Sequence, residues 1–555
     1  MHRFSRIAIL LLMIVAVLSA CSRKPDHARY IPKDAVAVAG INLRSLGKKI
    51  AWNVITGSKL FKEMQSRIPE KSTKDAMDGI EKAGIDLANT LYVYVKPDTR
   101  FKGGNRITGL VPLSDAAQWE AYVKKVFPQV EIKQNGGHKE ASLGRDMFVG
   151  WSNNLLVIIN VMSAPTDYND LMEGRGSQPG DHPMEDLASL SAEMTAAFSV
   201  AGDNSLTGNS RFTALEAEGH DITFWLNYGQ LMSQYGSDMS DRMGGVSLSA
   251  ALWKDATFTS GFDFKKGKIT GDMRYYLPDS MKDIGLEFGA VNVDKDLLSR
   301  LPGQNLDMLV AMHISPKGVK SMLEKMGVLG LANTALAQQN MNADDILDAF
   351  TGDMSFVIND FSLHTETVTD SFMGQKVTHQ NQKPTLSMSY VMKIGNKDKF
   401  QKLVGLAKQN GLAQSGNGFV IPLDESDSVY LKMDDQYAVV SNKNAYATGF
   451  LHGDFKSQKM PDAAAQVTGH PWAVYVDMQL LLKNIDAGIS HSAHDSAMIM
   501  ESKKLLNNIS LSGGEFKNSA FEYHLDINFT NTDENSLIEL IDYGMKMNDA
   551  DKIAQ

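Results

Sequence analysis

Cysteine is nearly absent from this sequence, because 555 residues contain only one, at position 21. The chain beyond that position therefore has no disulfide, no cysteine nucleophile and no thiolate metal site. An exported protein without disulfides depends on a large hydrophobic core. The roughly 535 residues that follow position 21 are enough for two or more domains.

The sequence also lacks basic blocks and long apolar runs. The formal net charge is −10, with 43% hydrophobic and 22% charged residues. No stretch interleaves basic with aromatic side chains, so we expect no nucleic-acid partner. No run of about 18 apolar residues occurs, so we expect no membrane-spanning helix. The composition therefore predicts a globular body. Its cellular location is predicted from the N-terminal residues.

The first 20 residues have the features of an export signal. Arg3 and Arg6 precede the apolar run IAILLLMIVAVLSA, which is shorter than the about 20 residues that a membrane span needs. The run ends in Leu18-Ser19-Ala20-Cys21, which resembles the bacterial lipobox. This resemblance implies cleavage after Ala20 and acylation of Cys21, whose acyl chains would attach the protein to a membrane. The alternative is a simple signal anchor with a buried cysteine, and we favour lipidation.

Six segments of the chain match six later segments in the same order. The pairs are 31–46 with 301–319, 85–95 with 347–358, 111–126 with 392–407, 151–160 with 433–442, 218–232 with 468–482, and 260–277 with 512–529. Collinear matches of this kind predict a tandem duplication. The predicted divisions are a signal peptide at 1–20, a lipidated tether at 21–29, and homologous halves at 30–294 and 295–549.

Hairpin signals predict the fold class of each half. KGGN at 102–105 and KKGK at 265–268 are turn sequences between strand patterns, which favours antiparallel pairing over parallel crossovers. We therefore predict an α+β fold in which each half has an antiparallel or mixed sheet covered by helices. Loops are expected at 169–185 and 361–384, and the alternation in TETVT leaves a hairpin open for the second.

The duplication makes a specific prediction about the core. Trp119 and Phe400 fall at the same place in matching helical patterns, and Trp225 and Tyr475 at the same place in matching strand patterns. A helix buries residues that are four apart, and a half-buried strand buries every second residue. Each pair should therefore occupy equivalent core positions.

One family resemblance is carried by the start of the body. Behind the lipobox, YIPKDAVAVAGINLRSLGKKIAW at 30–52 resembles domain-of-unknown-function family 4836, lipoproteins known mainly from Bacteroidetes. The resemblance implies an envelope lipoprotein with large α+β domains, and it implies no activity or site. Surface lipoproteins of such bacteria often have acidic residues after the cysteine, whereas Ser22, Arg23 and Lys24 follow here. We therefore expect an outer-membrane anchor that faces the periplasm.

Histidines supply the candidate metal and catalytic residues. His491, His494 and Asp495 lie on one face if the segment is helical, and they could bind a divalent metal. An exposed polar turn of a helix also explains them, and we favour it. His138, His220 and His470 each follow a glycine, and general-base catalysis by them would need a nucleophile or carboxylate within hydrogen-bond distance. We favour a turn role, and we predict no catalytic residue, metal or cofactor.

Other motifs have structural explanations. Asn42, Asn227 and Asp477 each end a strand before a helix, where N-capping explains the residue type. GRGSQPG at 174–180 lacks the lysine of a phosphate-binding loop. The methionines are numerous at 30, and we predict core filling for them rather than copper binding. Examples are Met308, Met312, Met322, Met498 and Met500.

The functional prediction is a lipid-anchored envelope protein that binds or scaffolds an envelope protein, a peptide or a glycan. A hydrolase with a site assembled from distant residues is one alternative, and a periplasmic carrier or chaperone is another. An enzyme should have a concave pocket with pKa-perturbed carboxylates or histidines. A carrier should have an apolar cavity, and a scaffold should have a broad exposed patch.

Overall fold

The computed structural model describes residues 26–50, 82–98, 104–143, 147–160, 187–232, 253–372, 375–409, 414–416, 418–423, 428–488 and 493–553. The export signal, Cys21, His491 and the predicted loop at 169–185 lie outside these residues. The chain divides into two compact units, one of residues 1–237 with 257–263 and the other of residues 238–256 with 264–555.

The first unit is built on an antiparallel sheet. Its strands are β1 (Ala37–Asn42), β2 (Thr90–Asp98), β3 (Gly104–Pro112), β4 (Lys133–Asn135), β5 (His138–Ser142), β6 (Met147–Trp151), β7 (Leu155–Asn160), β8 (Ile222–Asn227) and β9 (Thr257–Lys265). They pair in the order β9-β8-β1-β2-β3-β7-β6-β5-β4. On the central strand β1, Val38 faces the core and stands opposite Trp225 of β8.

Helices flank this sheet where the sequence supplies caps. They are α1 (Leu43–Lys49), α2 (Ala116–Val126), α3 (Leu187–Phe198) and α4 (Ser210–Glu218). Asp115 begins α2 by accepting the backbone N–H groups of Ala117 and Gln118. Trp119 and Val123, four residues apart, place their side chains on the buried face. Before β1, Asp26–Tyr30 forms a 3-10 turn with His27 buried, so the folded body begins within the predicted tether.

The second unit also has an antiparallel sheet. Its strands are β10 (Lys268–Tyr276), β11 (Leu306–His313), β12 (Phe350–Phe372), β13 (Gln375–Ile394), β14 (Gln414–Ser415), β15 (Gly418–Pro422), β16 (Ser428–Met433), β17 (Tyr437–Ser441), β18 (Trp472–Asp477), β19 (Leu506–Lys517) and β20 (Ala520–Phe529). The order is β10-β20-β19-β18-β11-β12-β13-β17-β16-β15-β14. When β10 and β20 are left out, the strands pair in the same order as in the first unit, with β11 to β19 in the places of β1 to β9.

The helices of the second unit complete the α+β fold. They are α5 (Lys282–Gly289), α6 (Lys295–Ser299), α7 (Pro316–Lys325), α8 (Leu329–Ala337), α9 (Ala343–Leu347), α10 (Lys397–Gln409), α11 (Asn444–His452), α12 (Asp462–Val467), α13 (Met478–Gly488), α14 (Ala493–Leu505) and α15 (Ser536–Ile553). The predicted α+β class is confirmed, and the strand pairing set out above is antiparallel in both units. None of the helices in the described ranges is both long and apolar enough to cross the membrane.

The predicted loop at 361–384 is a two-stranded ribbon. β12 and β13 stay paired from Ser362 opposite Thr385 to Phe372 opposite Gln375. Within the described residues, β11 pairs with β12 only as far as Asn359, so the ribbon extends beyond the sheet. The hairpin alternative is therefore confirmed, because the period-two alternation of TETVT was a strand signal.

The predicted core positions are buried. Trp119 and Phe400 are 7% and 6% exposed, and Trp225 and Tyr475 are 1% and 3% exposed. Trp225 meets Phe212 edge-on, with ring centroids 6.3 Å apart. The prediction that methionines fill the core holds for Met322, which packs at the edge of a core cluster. It is wrong for Met498 and Met500, which are exposed.

Candidate ligand-binding site

The structure does not test the predicted metal ligands. His494 and Asp495 lie in the first turn of α14, where Asp495 is exposed, and His491 is outside the described residues. The described parts of the chain contain no group of three histidine, cysteine or acidic side chains arranged to hold a metal ion. Metal binding by His491, His494 and Asp495 stays untested.

The predicted capping residues are caps. The side-chain oxygen of Asn42 accepts the N–H of Ser45, and Asn227 accepts that of Gln230. Asp477 does the same for Leu480. Each side chain satisfies a backbone donor that the first helical turn leaves free. This confirms the structural explanation of these three positions.

His220 lies between two carboxylates. Its Nδ1 is 3.0 Å from Asp263 on β9, and its Nε2 is 3.0 Å from Glu218. Burial disfavours the charged ring, but the hydrogen bonds to Asp263 and then Glu218 outweigh it and raise the pKa of His220. Gly261 makes room for the ring, since a Cβ there would lie 2.0 Å from the His220 Cδ2.

The other two glycine–histidine pairs also meet carboxylates. His470 Nδ1 is 2.5 Å from Glu515 on β19, and its side chain is 37% exposed. His138 is buried, contacts Glu140 at 3.3 Å and stacks on Phe198 with ring centroids 4.6 Å apart. A histidine–carboxylate pair orients the ring, but a nucleophile is still needed for covalent catalysis. The ring hydrogen bonds described for these histidines go to carboxylates and to no hydroxyl group.

Asp307 was not among the predicted site residues. It is fully buried on β11, one oxygen accepts the N–H of Phe361, and the other has no hydrogen-bond partner among the described residues. Burial, reinforced by the nearby charges of Asp360 and Asp477, raises the pKa of Asp307 to about 6. Its sequence signal was a carboxylate at the start of the apolar strand LDMLVAMH.

A cavity of about 430 Å³ lies between β15, β16 and α11 in the second unit. Its lining residues are Gly416, Phe419, Val420, Tyr430, Lys432, Asn444, Thr448, Leu451 and His452. This volume falls within the range of small-molecule sites. Sequence analysis missed the cavity, because three separate segments contribute its walls.

Regular secondary structure aligns these side chains. Asn444, Thr448 and His452 are four residues apart and therefore share one face of α11. Tyr430 and Lys432 are two residues apart and share one face of β16. The helix packs against β16 and β17, which brings the two sets of polar groups to opposite walls of one cavity.

Among the described residues, the formal charge in the cavity lining is positive. The Lys432 ammonium donates to the Thr448 hydroxyl at 2.7 Å, and the lining residues that the structure describes include no aspartate or glutamate. An ammonium group has three donors, so this bond leaves two N–H groups for other acceptors. The polar wall can therefore recognise an acceptor-rich ligand.

The first unit fills the corresponding space with side chains. The two units can be compared by strand register, starting from Val38 opposite Trp225 in the first and from Leu309 opposite Tyr475 in the second. When the paired residues are followed from strand to strand, Gly150 of β6 and Lys432 of β16 take the same position. Met194 of α3 fills the space above Gly150, since a Cβ there would lie 2.5 Å from its sulfur. Equivalent strand positions thus carry a filled core in one unit and a cavity in the other.

Comparisons with known proteins give a distant structural resemblance. Neither a protein-family model nor a curated protein matches the sequence. The chain is similar to the solved structures of the Treponema protein TP0453 in crystal forms III, I and IV. Sequence identities are 9%, 10% and 9%, and TM-scores are 0.26, 0.21 and 0.26. The matches cover 46%, 46% and 47% of this chain and 80%, 79% and 84% of TP0453.

A likeness at this level carries no functional argument. The resemblance to family 4836 also stays a prediction, since no family model matches. The functional argument therefore depends on the site geometry.

Proposed function

We propose that the protein is a lipid-anchored protein of the bacterial cell envelope that binds a small molecule through its second unit. The observation that carries the binding function is the cavity between β15, β16 and α11, which is large enough for a small ligand and has polar groups on two walls. The anchor on Cys21 and the periplasm-facing location come from the sequence and form part of the same proposal.

The position of the titrating groups favours binding over catalysis. The groups with raised pKa include His220, Glu216 and Asp307, and none of them lines the cavity. Burial raises the pKa of Glu216, which accepts hydrogen bonds from Tyr92 and Thr223. These groups are held by internal hydrogen bonds, whereas an enzyme of this design would place them in its pocket.

We also propose that the two halves, 30–294 and 295–549, arose by duplication. Support comes from the strand order, which runs through the same sequence of connections in both units. The strand registers add support. When residues are matched by register, starting from Trp225 and Tyr475, Ile159 corresponds to Ser441. The sequence match of 151–160 with 433–442 gives the same correspondence. Substitutions at Trp225 and Tyr475 test this, since equivalent core positions should lose similar free energies of unfolding.

A fragment screen by saturation-transfer NMR tests the binding function. Thr448→Trp should fill the cavity and abolish the signals of its ligands, because Thr448 lines it. The matched control is Thr334→Trp at an exposed position of α8, which does not line the cavity and should leave binding unchanged. Fragments that bind the wild-type protein and the Thr448→Trp variant equally well would show that the cavity is not the site.

The anchor is tested by labelled fatty-acid incorporation in cells. Cys21→Ser should abolish acylation and block cleavage after Ala20, because the thiol is the acceptor that the lipobox resemblance implies. A chain that starts at Ser22 should be soluble without detergent. If that chain still partitions into membranes, a second attachment surface exists and the proposed sole anchor is wrong.

A further inference from the structure

We propose that the cavity between β15, β16 and α11 binds a small organic carboxylate with a compact apolar or aromatic body. This inference rests on the proposed binding function and names its ligand class. It follows from the charge, the shape and the wall chemistry of the cavity.

The positive charge of Lys432 indicates that the ligand is negatively charged. Within the described part of the lining, Lys432 is the one formally charged residue, and it is half-buried in a protein whose net charge is −10. Its described hydrogen bond goes to the neutral hydroxyl of Thr448, and none of these described lining residues carries a carboxylate that would neutralise it. A ligand carboxylate can accept the two remaining ammonium donors in a charge-assisted pair.

Neutral polar groups surround this cation. Asn444 and Thr448 approach from the helix wall, and Tyr430 approaches from the strand wall. Amide and hydroxyl groups both donate and accept, so they can complete the hydrogen bonds of a carboxylate oxygen. A single ammonium matches one negative charge, whereas a phosphate group with nearly two charges is usually held by several cationic or backbone N–H donors.

The apolar walls describe the rest of the ligand. Phe419 borders the cavity, but its side chain is 3% exposed and packs in a core cluster with Phe400 and Val404. Val420 and Leu451 add apolar side chains to the lining. An apolar body that covers these side chains would release water from both surfaces, which is favourable. The ligand is therefore amphipathic, with one anionic end and one apolar end.

In the first unit, side chains occupy the corresponding space. Met194 occupies the space at Gly150, and the neighbouring register position carries Glu140, which accepts the Ser191 hydroxyl of α3 at 2.6 Å. The second unit has Gly418 opposite Lys432 at these two positions. The acidic side chain is thus absent, and a basic one stands beside the cavity.

The experiment compares phenylacetate with its neutral amide, phenylacetamide, by titration NMR on the purified full chain. We expect phenylacetate to bind and the amide to bind at least 10-fold more weakly, because the amide cannot form the charge-assisted pair. Lys432→Met should weaken phenylacetate binding by about 10- to 100-fold, and Lys432→Arg should retain it. The control Lys443→Met removes the same charge next to α11 from a residue that does not line the cavity, and it should leave binding unchanged.

The outcomes separate the two proposals. Equal binding of acid and amide, with no effect of Lys432→Met, would overturn the ligand class while leaving the binding function in place. Binding of inorganic phosphate in preference to phenylacetate would also overturn it. If neither phenylacetate nor the amide binds, and Thr448→Trp changes no fragment signal, the binding function itself is overturned. A thermal unfolding midpoint equal to that of the wild type establishes that each variant is folded.

Discussion

Gly150 and Lys432 stand at the same register position of two sets of strands with the same pairing order, and their surroundings differ completely. Above Gly150, Met194 fills the space and the first unit is close-packed there. Beside Lys432 lies a cavity, and among its described lining residues the only formal charge belongs to that lysine. A scaffold with one pairing order can therefore hold a solid core in one unit and a concave polar site in the other, because strand pairing uses backbone groups and leaves the side chains free to vary.

The central strands differ in the same way. By register, Val36, directly before β1, corresponds to Asp307 on β11, and both are buried. A buried valine contributes hydrophobic free energy, whereas a buried carboxylate with an unpartnered oxygen costs free energy when it is charged. The second unit thus carries polar groups at positions where the first carries apolar ones.

The largest expected effect comes from the core pair. Trp225→Ala and Tyr475→Ala should each lower the free energy of unfolding of their own unit by about 3–5 kcal/mol, since both side chains are buried opposite the central strand. Urea unfolding with hydrogen–deuterium exchange assigns each loss to a unit. The control Tyr475→Phe removes only the hydroxyl that donates to Asp477 and should cost about 1 kcal/mol. If either alanine variant lost less free energy of unfolding than Tyr475→Phe, Trp225 and Tyr475 would not be equivalent core positions.

Gly261→Ala should cost about 3 kcal/mol, the upper end of overpacking effects, because the new Cβ would collide with the His220 ring. By register the second unit carries Ser512 at this position, and its His470 is more exposed. Urea unfolding measures the effect. Gly208→Ala is the control, since a Cβ there would meet no atom within 4 Å. Equal stability of the two alanine variants would contradict the contact.

Asp307→Asn should raise the free energy of unfolding by about 1–2 kcal/mol at pH 8 and by much less at pH 4. The pKa of about 6 in the folded protein lies above the unfolded value near 4, so the folded state binds the proton more tightly. Wild-type stability from this group therefore rises as the pH falls from about 7 towards 4. The measurement is urea unfolding at both pH values, with the exposed Asp435→Asn as control. If Asp307→Asn lowered the free energy of unfolding at pH 8, burial of the charged carboxylate would not be unfavourable and the prediction would be wrong.

The smallest expected effect is a pH slope at His220. Its pKa is raised in the folded protein, so its stabilising contribution is complete below the unfolded pKa of about 6.5 and is lost as the pH rises through the folded pKa. The wild type should therefore lose more of its free energy of unfolding than His220→Gln does between pH 6 and pH 9. NMR titration of the ring protons checks the direction directly. A midpoint below the ordinary histidine value would reverse the prediction.

Sequence patterns predicted much of the fold and little of the candidate site. The spacing of Trp119 and Val123 predicted a buried helix face, and the position of Asn227 predicted a cap, because both effects act within a few residues. The exposure of Met498 and Met500 was not predicted, because an apolar side chain is buried only if another element packs over it. Lys432 gave no signal at all, since a lysine in an alternating strand is normally solvated.

The sequence by itself determined the strand and helix types, the caps at Asn42 and Asp477, and the hairpin signal in TETVT. Periodicity and capping are local, so their physics is complete within a short segment. Only the tertiary structure decided that Lys432, Thr448 and Phe419 share one cavity while Met194 closes the equivalent space. Which side chains meet depends on strand register and helix packing across long stretches of chain, and no local pattern records that.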